Sequence, residues 1–102
     1  MENINNNINS VLKLLESNNF EQAKVILDNL LNDQPENPLI LFLISQVYLK
    51  KKEYKLSIKY LEKTNKIAPN KPNTKITLAD LYLKINEYSK CLSTINEIEE
   101  LA

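Results

Sequence analysis

Apolar side chains recur along this chain at intervals of three and four residues, in six separate segments. In the first segment Ile8, Val11, Leu12 and Leu15 follow this spacing, which places them on one face of an α-helix. No segment alternates between apolar and polar residues for long enough to predict a β-strand. The pattern therefore predicts an all-α fold, with helices at about residues 5–17, 21–32, 39–51, 55–66, 73–85 and 89–101.

Polar residues and prolines divide these six helices into three pairs. Within each pair the two helices are separated at Asn18, at Lys52 or at Asn86. Asn tolerates the left-handed backbone conformation that ends many helices where glycine is absent. Pro35 and Pro69 follow the second helix of the first two pairs, because proline cannot continue a helix. We therefore expect three helical hairpins.

The three hairpins share a fixed period of 34 residues, without insertions. The positions that correspond most clearly are Leu14, Tyr48 and Tyr82, then Phe20, Tyr54 and Tyr88, and then Ala23, Ser57 and Cys91. The small residues are expected to let paired helices approach closely, and Phe20, Tyr54 and Tyr88 to fill the space beside them. A period of this length is typical of stacked repeats, in which each unit covers the apolar face of its neighbour.

A 34-residue unit of this kind resembles the tetratricopeptide repeat. The resemblance rests on an aromatic residue late in the first helix, a second after the turn, a small residue three positions later and a final proline. In the middle unit these are Tyr48, Tyr54, Ser57 and Pro69. The resemblance implies a right-handed superhelical α-solenoid, with residues 1–102 as one domain and repeats at about 4–37, 38–71 and 72–102.

The chain departs from the family pattern where that family usually has glycine. Val11, Ser45 and Ala79 stand midway along the first helices, and Asn18, Lys52 and Asn86 stand in the turns. Val11 is the bulkiest of these substitutes, so the first repeat is divergent.

Charge and composition exclude several classes of function. Lysine and acidic residues balance at 13 each, so no general attraction to nucleic acid or to an anionic membrane is expected. Residues 39–80 nevertheless carry nine lysines and three acidic residues. Seven of the lysines form either a patch for an acidic partner or a solvated outer helix face. They are Lys50, Lys51, Lys52, Lys55, Lys59, Lys63 and Lys66.

The residues needed for most catalytic and cofactor sites are missing. Without His or Gly the chain has no Ser–His or Cys–His pair, phosphate-binding loop, dinucleotide fingerprint or zinc finger. Its acidic residues are scattered or lie at the end, so we expect no metal site, no cofactor and no enzymatic activity. Cys91 is interpreted as a small core residue, and with no apolar run long enough to span a bilayer we expect a cytoplasmic protein.

The resemblance implies that the first helix of each repeat lines a concave groove for a peptide. Its content of Leu, Ile and Phe predicts an apolar or amphipathic segment as the partner, with Phe42 and Leu43 as central anchors. The alternative is that these side chains are covered by the chain's own N-terminal residues or by a tighter superhelix. The groove residues are Ile8, Asn9, Leu12, Leu15, Leu39, Phe42, Leu43, Gln46, Leu49, Ile76, Thr77, Asp80 and Leu83.

One known form of this groove holds the terminal carboxylate of heat-shock chaperones with Lys, Asn and Arg side chains. The corresponding positions here are Ile8, Leu12, Leu43, Asn73 and Thr77. Because that clamp is missing, we expect no chaperone-tail binding by this mechanism.

The last helix carries a second apolar surface. Such arrays usually end in a solvating helix, whereas Leu92, Ile95, Ile98 and Leu101 are expected to be uncovered here. Self-association through the last hairpin, or a longer parent protein, would cover them. Three functions thus remain open: a peptide-binding scaffold, which leads, a self-assembling structural module, and the substrate-docking part of a larger enzyme.

Overall fold

Six α-helices follow one another in the computed structural model, which describes residues 4–101. Each predicted helix agrees with the observed one to within one residue at both ends. The helices are α1 (Ile4–Glu16), α2 (Phe20–Asp33), α3 (Pro38–Lys50), α4 (Tyr54–Ile67), α5 (Pro72–Lys84) and α6 (Tyr88–Leu101).

Each helix packs against the helices that precede and follow it in the chain, and the most extensive contacts are those of α3 with α4 and of α5 with α6. This order produces an elongated α-solenoid with extents of 43 × 24 × 20 Å. The predicted all-α solenoid is therefore confirmed for the part of the chain that the structure describes. No helix within residues 4–101 is long and apolar enough to cross a membrane.

The turn inside each hairpin has the same backbone conformation at the same position of the repeat. Asn18, Lys52 and Asn86 have φ angles of 62°, 61° and 66°. In the middle turn the amide of Glu53 donates to the carbonyl of Tyr48 at 2.9 Å, and equivalent bonds close the other two turns. A left-handed residue with this bond satisfies carbonyl groups at a helix end that would otherwise lack partners. The predicted turn positions are confirmed.

The first helix of each hairpin is called the leading helix here, and the second is called the trailing helix. A proline is the first residue of the leading helix in the second and third hairpins. Pro38 and Pro72 are the first residues of α3 and α5, where the missing amide is not needed for helical hydrogen bonding. Asn37 also caps α3, since its side chain accepts a hydrogen bond from the amide of Leu39 at 2.9 Å. Lys71, at the same place before α5, makes no such side-chain cap.

The core consists of two clusters, one built mainly by α1 to α3 and the other mainly by α4 to α6. Val11 is fully buried in the first, so the fold accommodates the bulkiest departure from the repeat pattern. Between α3 and α4, Ser45 and Ser57 are both fully buried, and the Ser57 hydroxyl donates to the Ser45 carbonyl at 2.9 Å. The predicted close approach of paired helices at small residues is thus confirmed here. Cys91 is a buried free thiol in the second cluster.

One aromatic position differs from the prediction. Tyr54 packs against the second cluster, but Tyr88 is exposed, and its hydroxyl donates to the side chain of Asn86 at 2.9 Å. The prediction that Tyr88 fills interhelical space was therefore wrong. Within the described residues no leading helix follows α6, so the surface that would enclose this ring is not formed.

Candidate functional site

The residues predicted to line the groove all lie on the leading helices α1, α3 and α5. Twelve of the thirteen occupy four positions of the 34-residue repeat, so each position is represented once on every leading helix. The thirteenth, Leu39, is exposed on the first turn of α3. Their side chains differ widely in exposure, and this difference decides which of them a partner can reach.

One of these positions is apolar in all three repeats and accessible in all three. Ile8 and Phe42 are half-buried, and Ile76 is exposed. Ile8 rests against the first core cluster and Phe42 against the second. This position therefore places one accessible apolar side chain on each leading helix.

A second position is leucine in all three repeats, but its exposure rises along the chain. Leu15 is 9% exposed, Leu49 is half-buried and Leu83 is 53% exposed. Leu15 belongs to the cluster that α3 helps to build, and Leu49 packs against the cluster that contains α5. Leu15 is therefore a core residue and not the groove contact that was predicted.

The remaining two positions are mixed in polarity. Leu12 is exposed, Gln46 is half-buried, and Asp80 is exposed and pairs with Lys84 at 3.1 Å. Asn9 is exposed, and the Thr77 hydroxyl donates to the carbonyl of Asn73 at 2.9 Å.

Leu43 requires a correction. It was predicted as a central anchor, yet it is only 5% exposed and lies in the first core cluster with Val11 and Leu15. A side chain on this side of α3 faces the preceding hairpin and not the solvent. Leu43 is therefore a core residue, whereas Leu39 and Phe42 on the same helix remain accessible.

A cavity of about 350 Å³ brings Leu39 and Phe42 together at the start of α3. The sequence analysis missed four of its other lining residues, which come from the end of the trailing helix α4 and from the start of α5: Thr64, Ala68, Lys71 and Thr74. The lining residues are Pro38, Leu39, Phe42, Thr64, Ala68, Lys71, Asn73 and Thr74.

The electrostatic character of this cavity is positive. Lys71 contributes an ammonium group, and the first turn of α5 adds the positive end of a helix that has no side-chain cap. No carboxylate lines the cavity. The arrangement suits an apolar side chain that has an acidic group next to it.

Outside the groove, the polar contacts of the last repeat join helices to one another. The Tyr82 hydroxyl donates to the Glu62 carboxylate, and burial together with this bond raises the pKa of Tyr82 above its ordinary value of 10.0.

No group of His, Cys, Asp and Glu among residues 4–101 has the arrangement needed to hold a metal ion.

Comparison with known proteins identifies relatives of this fold. The family described as anaphase-promoting complex, cyclosome, subunit 3 matches residues 16–98. No curated protein sequence matches the chain.

Several solved structures of MamA share the architecture. A double mutant of MamA RS-1 has a TM-score of 0.86 at 14% identity, with 93% of this chain and 53% of that chain covered. MamA from Desulfovibrio magneticus RS-1 has a TM-score of 0.84 at 14% identity, covering 93% and 54%. A MamA point mutant has a TM-score of 0.83 at 15% identity, covering 100% and 74%. The chain thus spans about half the length of the first two, and at these identities the likeness concerns the fold.

Proposed function

Because the chain belongs to the family described as anaphase-promoting complex, cyclosome, subunit 3 and is a tetratricopeptide repeat protein, we propose that it binds a protein segment in its groove. The segment is apolar or amphipathic. The family description names a subunit of a complex, which supports a protein as the partner. The cavity between the starts of α3 and α5 supports the groove as the place of binding.

The main support for this proposal is the cavity at the starts of α3 and α5, because it combines an apolar wall with the positive charge of Lys71. Leu39 and Phe42 would contact an apolar side chain of the segment, and burying such a side chain contributes about 1.5–3 kcal/mol. Lys71 would pair with an acidic residue next to it. The lining contains no nucleophile paired with a base, which supports binding and not catalysis.

A double substitution of accessible residues tests the groove. Peptides are first selected from a random library with the wild-type chain, and their dissociation constants are measured by calorimetry. Leu39→Asp with Phe42→Asp should weaken binding at least about tenfold, since it places two charges in the apolar wall. The matched control is Val25→Asp with Leu56→Asp, which changes two exposed apolar residues on the trailing helices by the same charge.

Far-UV circular dichroism must show that both double variants remain helical. Selected peptides that bind the Leu39 and Phe42 variant as tightly as wild type would contradict the groove proposal. Leu43 is left unchanged, because a charge at this core position would unfold the first cluster and would not report on binding.

A second candidate function is self-association through α6. Leu27, Leu61 and Ile95 occupy the same position of the repeat, but the first two are fully buried while Ile95 is 39% exposed. In the first two repeats the following leading helix covers this surface. Leu92 and Leu101 are also exposed and Ile98 is half-buried, so α6 carries several accessible apolar side chains.

Light scattering after size exclusion, over a range of protein concentrations, tests this second candidate. Self-association predicts a mass that rises with concentration, and a monomer for Leu92→Asp with Ile95→Asp. The double variant Val25→Asp with Leu56→Asp is again the control, since it changes the charge equally. A wild-type chain that stays monomeric at high concentration would eliminate this candidate and leave the groove proposal unaffected.

A further inference from the structure

Four lysines form a row along the trailing helix α4. Lys55, Lys59, Lys63 and Lys66 are spaced by four, four and three residues, so they share one helix face, and all four are exposed. Within residues 4–101, no carboxylate lies within ion-pairing distance of their ammonium groups. The acidic residue of α4, Glu62, is instead bonded to Tyr82. Like charges at this spacing repel one another, so the row opposes helix stability.

Solenoid packing does not require this row, because the other trailing helices lack it. The four corresponding positions of α2 are Glu21, Val25, Asn29 and Asn32, and those of α6 are Ser89, Ser93, Glu97 and Glu100. The positive face therefore belongs to the middle repeat alone and needs an explanation other than the fold.

The row leads into a cavity of about 970 Å³ between the α2–α3 loop and the end of α4. Leu41, Ile67 and two prolines form its apolar part, and Lys63 and Lys66 place two positive charges against a single acidic residue, Glu36. The lining residues are Gln34, Pro35, Glu36, Asn37, Pro38, Leu41, Lys63, Lys66 and Ile67. Pro38 is shared with the groove cavity, and no other lining residue is.

We propose that this cleft is a second docking site, which binds an acidic protein segment that carries an apolar side chain. Carboxylates of the segment pair with Lys63 and Lys66 in the cleft and with Lys59 on the adjoining row, and its apolar side chain packs on the exposed Ile67 and Pro35. Charge complementarity selects the partner, because the lysines of the row gain counter-charges; the ammonium group of Lys63 lies 5.3 Å from the centre of the Tyr60 ring but has no carboxylate beside it. The site lies apart from the groove and does not depend on the function proposed for it.

An acidic protein segment fits this surface better than a nucleic acid does. The chain as a whole has no net charge, whereas nucleic-acid-binding surfaces usually belong to basic proteins. A phosphate backbone would also leave the exposed Ile67 without an apolar contact. The combination of two lysines with an apolar wall is therefore specific to a mixed acidic and apolar segment.

A synthetic glutamate-rich peptide with one central leucine, labelled with a fluorophore, tests the proposal by fluorescence anisotropy. Lys63→Glu with Lys66→Glu should weaken binding by about tenfold or more. Lys13→Glu with Lys50→Glu is the matched control, since it changes the net charge equally at two exposed lysines outside the cleft. The charge-reversed cleft should also gain binding of a lysine-rich peptide with the same leucine.

Three results would contradict the proposed second docking site. Equal losses in the cleft variant and the control variant would mean that only net charge matters, and would overturn it. So would undiminished binding of a peptide with serine in place of leucine, or single-stranded DNA that binds with the same dependence on Lys63 and Lys66. In a chain that already carries Leu39→Asp and Phe42→Asp, Lys63→Glu with Lys66→Glu should still weaken binding of the acidic peptide about tenfold, which separates the two sites.

Discussion

The ammonium group of Lys75 lies 2.8 Å from the carboxylate of Glu97, although the Lys75 side chain is only 4% exposed. The same ammonium donates to the side-chain oxygen of Asn65 at 3.0 Å. These bonds join α4, α5 and α6. In the middle repeat the corresponding residue is Leu41, which is equally buried. Where the middle repeat has a buried leucine, the third repeat thus has a buried ammonium group that depends on Asn65 and Glu97 as hydrogen-bond acceptors.

We expect Glu97→Ala to destabilise the fold more than Lys75→Leu does. The first change leaves a buried ammonium group with one neutral partner, which costs about 1–3 kcal/mol. Lys75→Leu introduces the apolar residue that the middle repeat has at this position, and it leaves only a half-exposed carboxylate without its partner. The free energy of unfolding of this variant should therefore stay within about 1 kcal/mol of wild type. Urea unfolding monitored by circular dichroism measures both. A larger loss for Lys75→Leu would show that the ion pair itself is stabilising.

Lys52→Gly should stabilise the chain. Lys52 has a φ angle of 61°, and a lysine in this left-handed region is strained by about 1–2 kcal/mol because of its Cβ. Glycine removes the strain but increases the entropy of the unfolded chain, so the net gain should be about 0.5–1 kcal/mol. Asn18→Gly and Asn86→Gly should gain less, because Asn tolerates this conformation. Thermal unfolding of the three variants tests this order, which equal gains at all three turns would contradict.

The helices and turns could be predicted because local features determine them. The apolar spacing places one face of each helix in the core, and Asn18, Lys52 and Asn86 recur at the position that requires a left-handed residue. Pro38 and Pro72 mark the starts of α3 and α5 for reasons that concern only their own backbone. The repeat limits inferred from this period remain a prediction.

The accessibility of individual groove residues could not be predicted in the same way. It depends on the neighbouring hairpin, which is why Leu15 is buried while Leu83, at the same repeat position, is exposed. Leu43 was misjudged for this reason. The cavity residues Thr64 and Lys71 were missed because the ends of separate helices meet there, and a pattern within one helix does not report this.

The pairing of Glu21 with Lys51 predicts a dependence of stability on pH. Their 2.8 Å hydrogen bond lowers the pKa of Glu21 below its ordinary value of 4.5. A carboxylate with a lowered folded-state pKa stabilises the fold above its unfolded-state pKa, and this contribution is lost as the pH falls from about 4.5 through the folded value. Lys51→Met should return the pKa of Glu21 towards 4.5 and reduce this loss.

A carbon-13 NMR titration of the Glu21 carboxyl group measures this change directly. Both side chains lie at the surface, so the ion pair should also weaken at high salt concentration. The Lys13→Met variant is a suitable control, because Lys13 makes no ion pair with Glu21. If the pKa of Glu21 is the same in wild type and Lys51→Met, the hydrogen bond does not persist in solution.

Leu61 and Ile95 provide a matched pair, because they occupy the same repeat position with different degrees of burial. Leu61→Ala should lower the free energy of unfolding by about 2–5 kcal/mol, since it removes a fully buried side chain and leaves a cavity. Ile95→Ala should cost about 1 kcal/mol, because solvent already reaches this side chain. Denaturant unfolding at two protein concentrations measures both losses. If the Ile95→Ala loss grows with concentration, a second copy covers α6 in solution, as the self-association candidate requires.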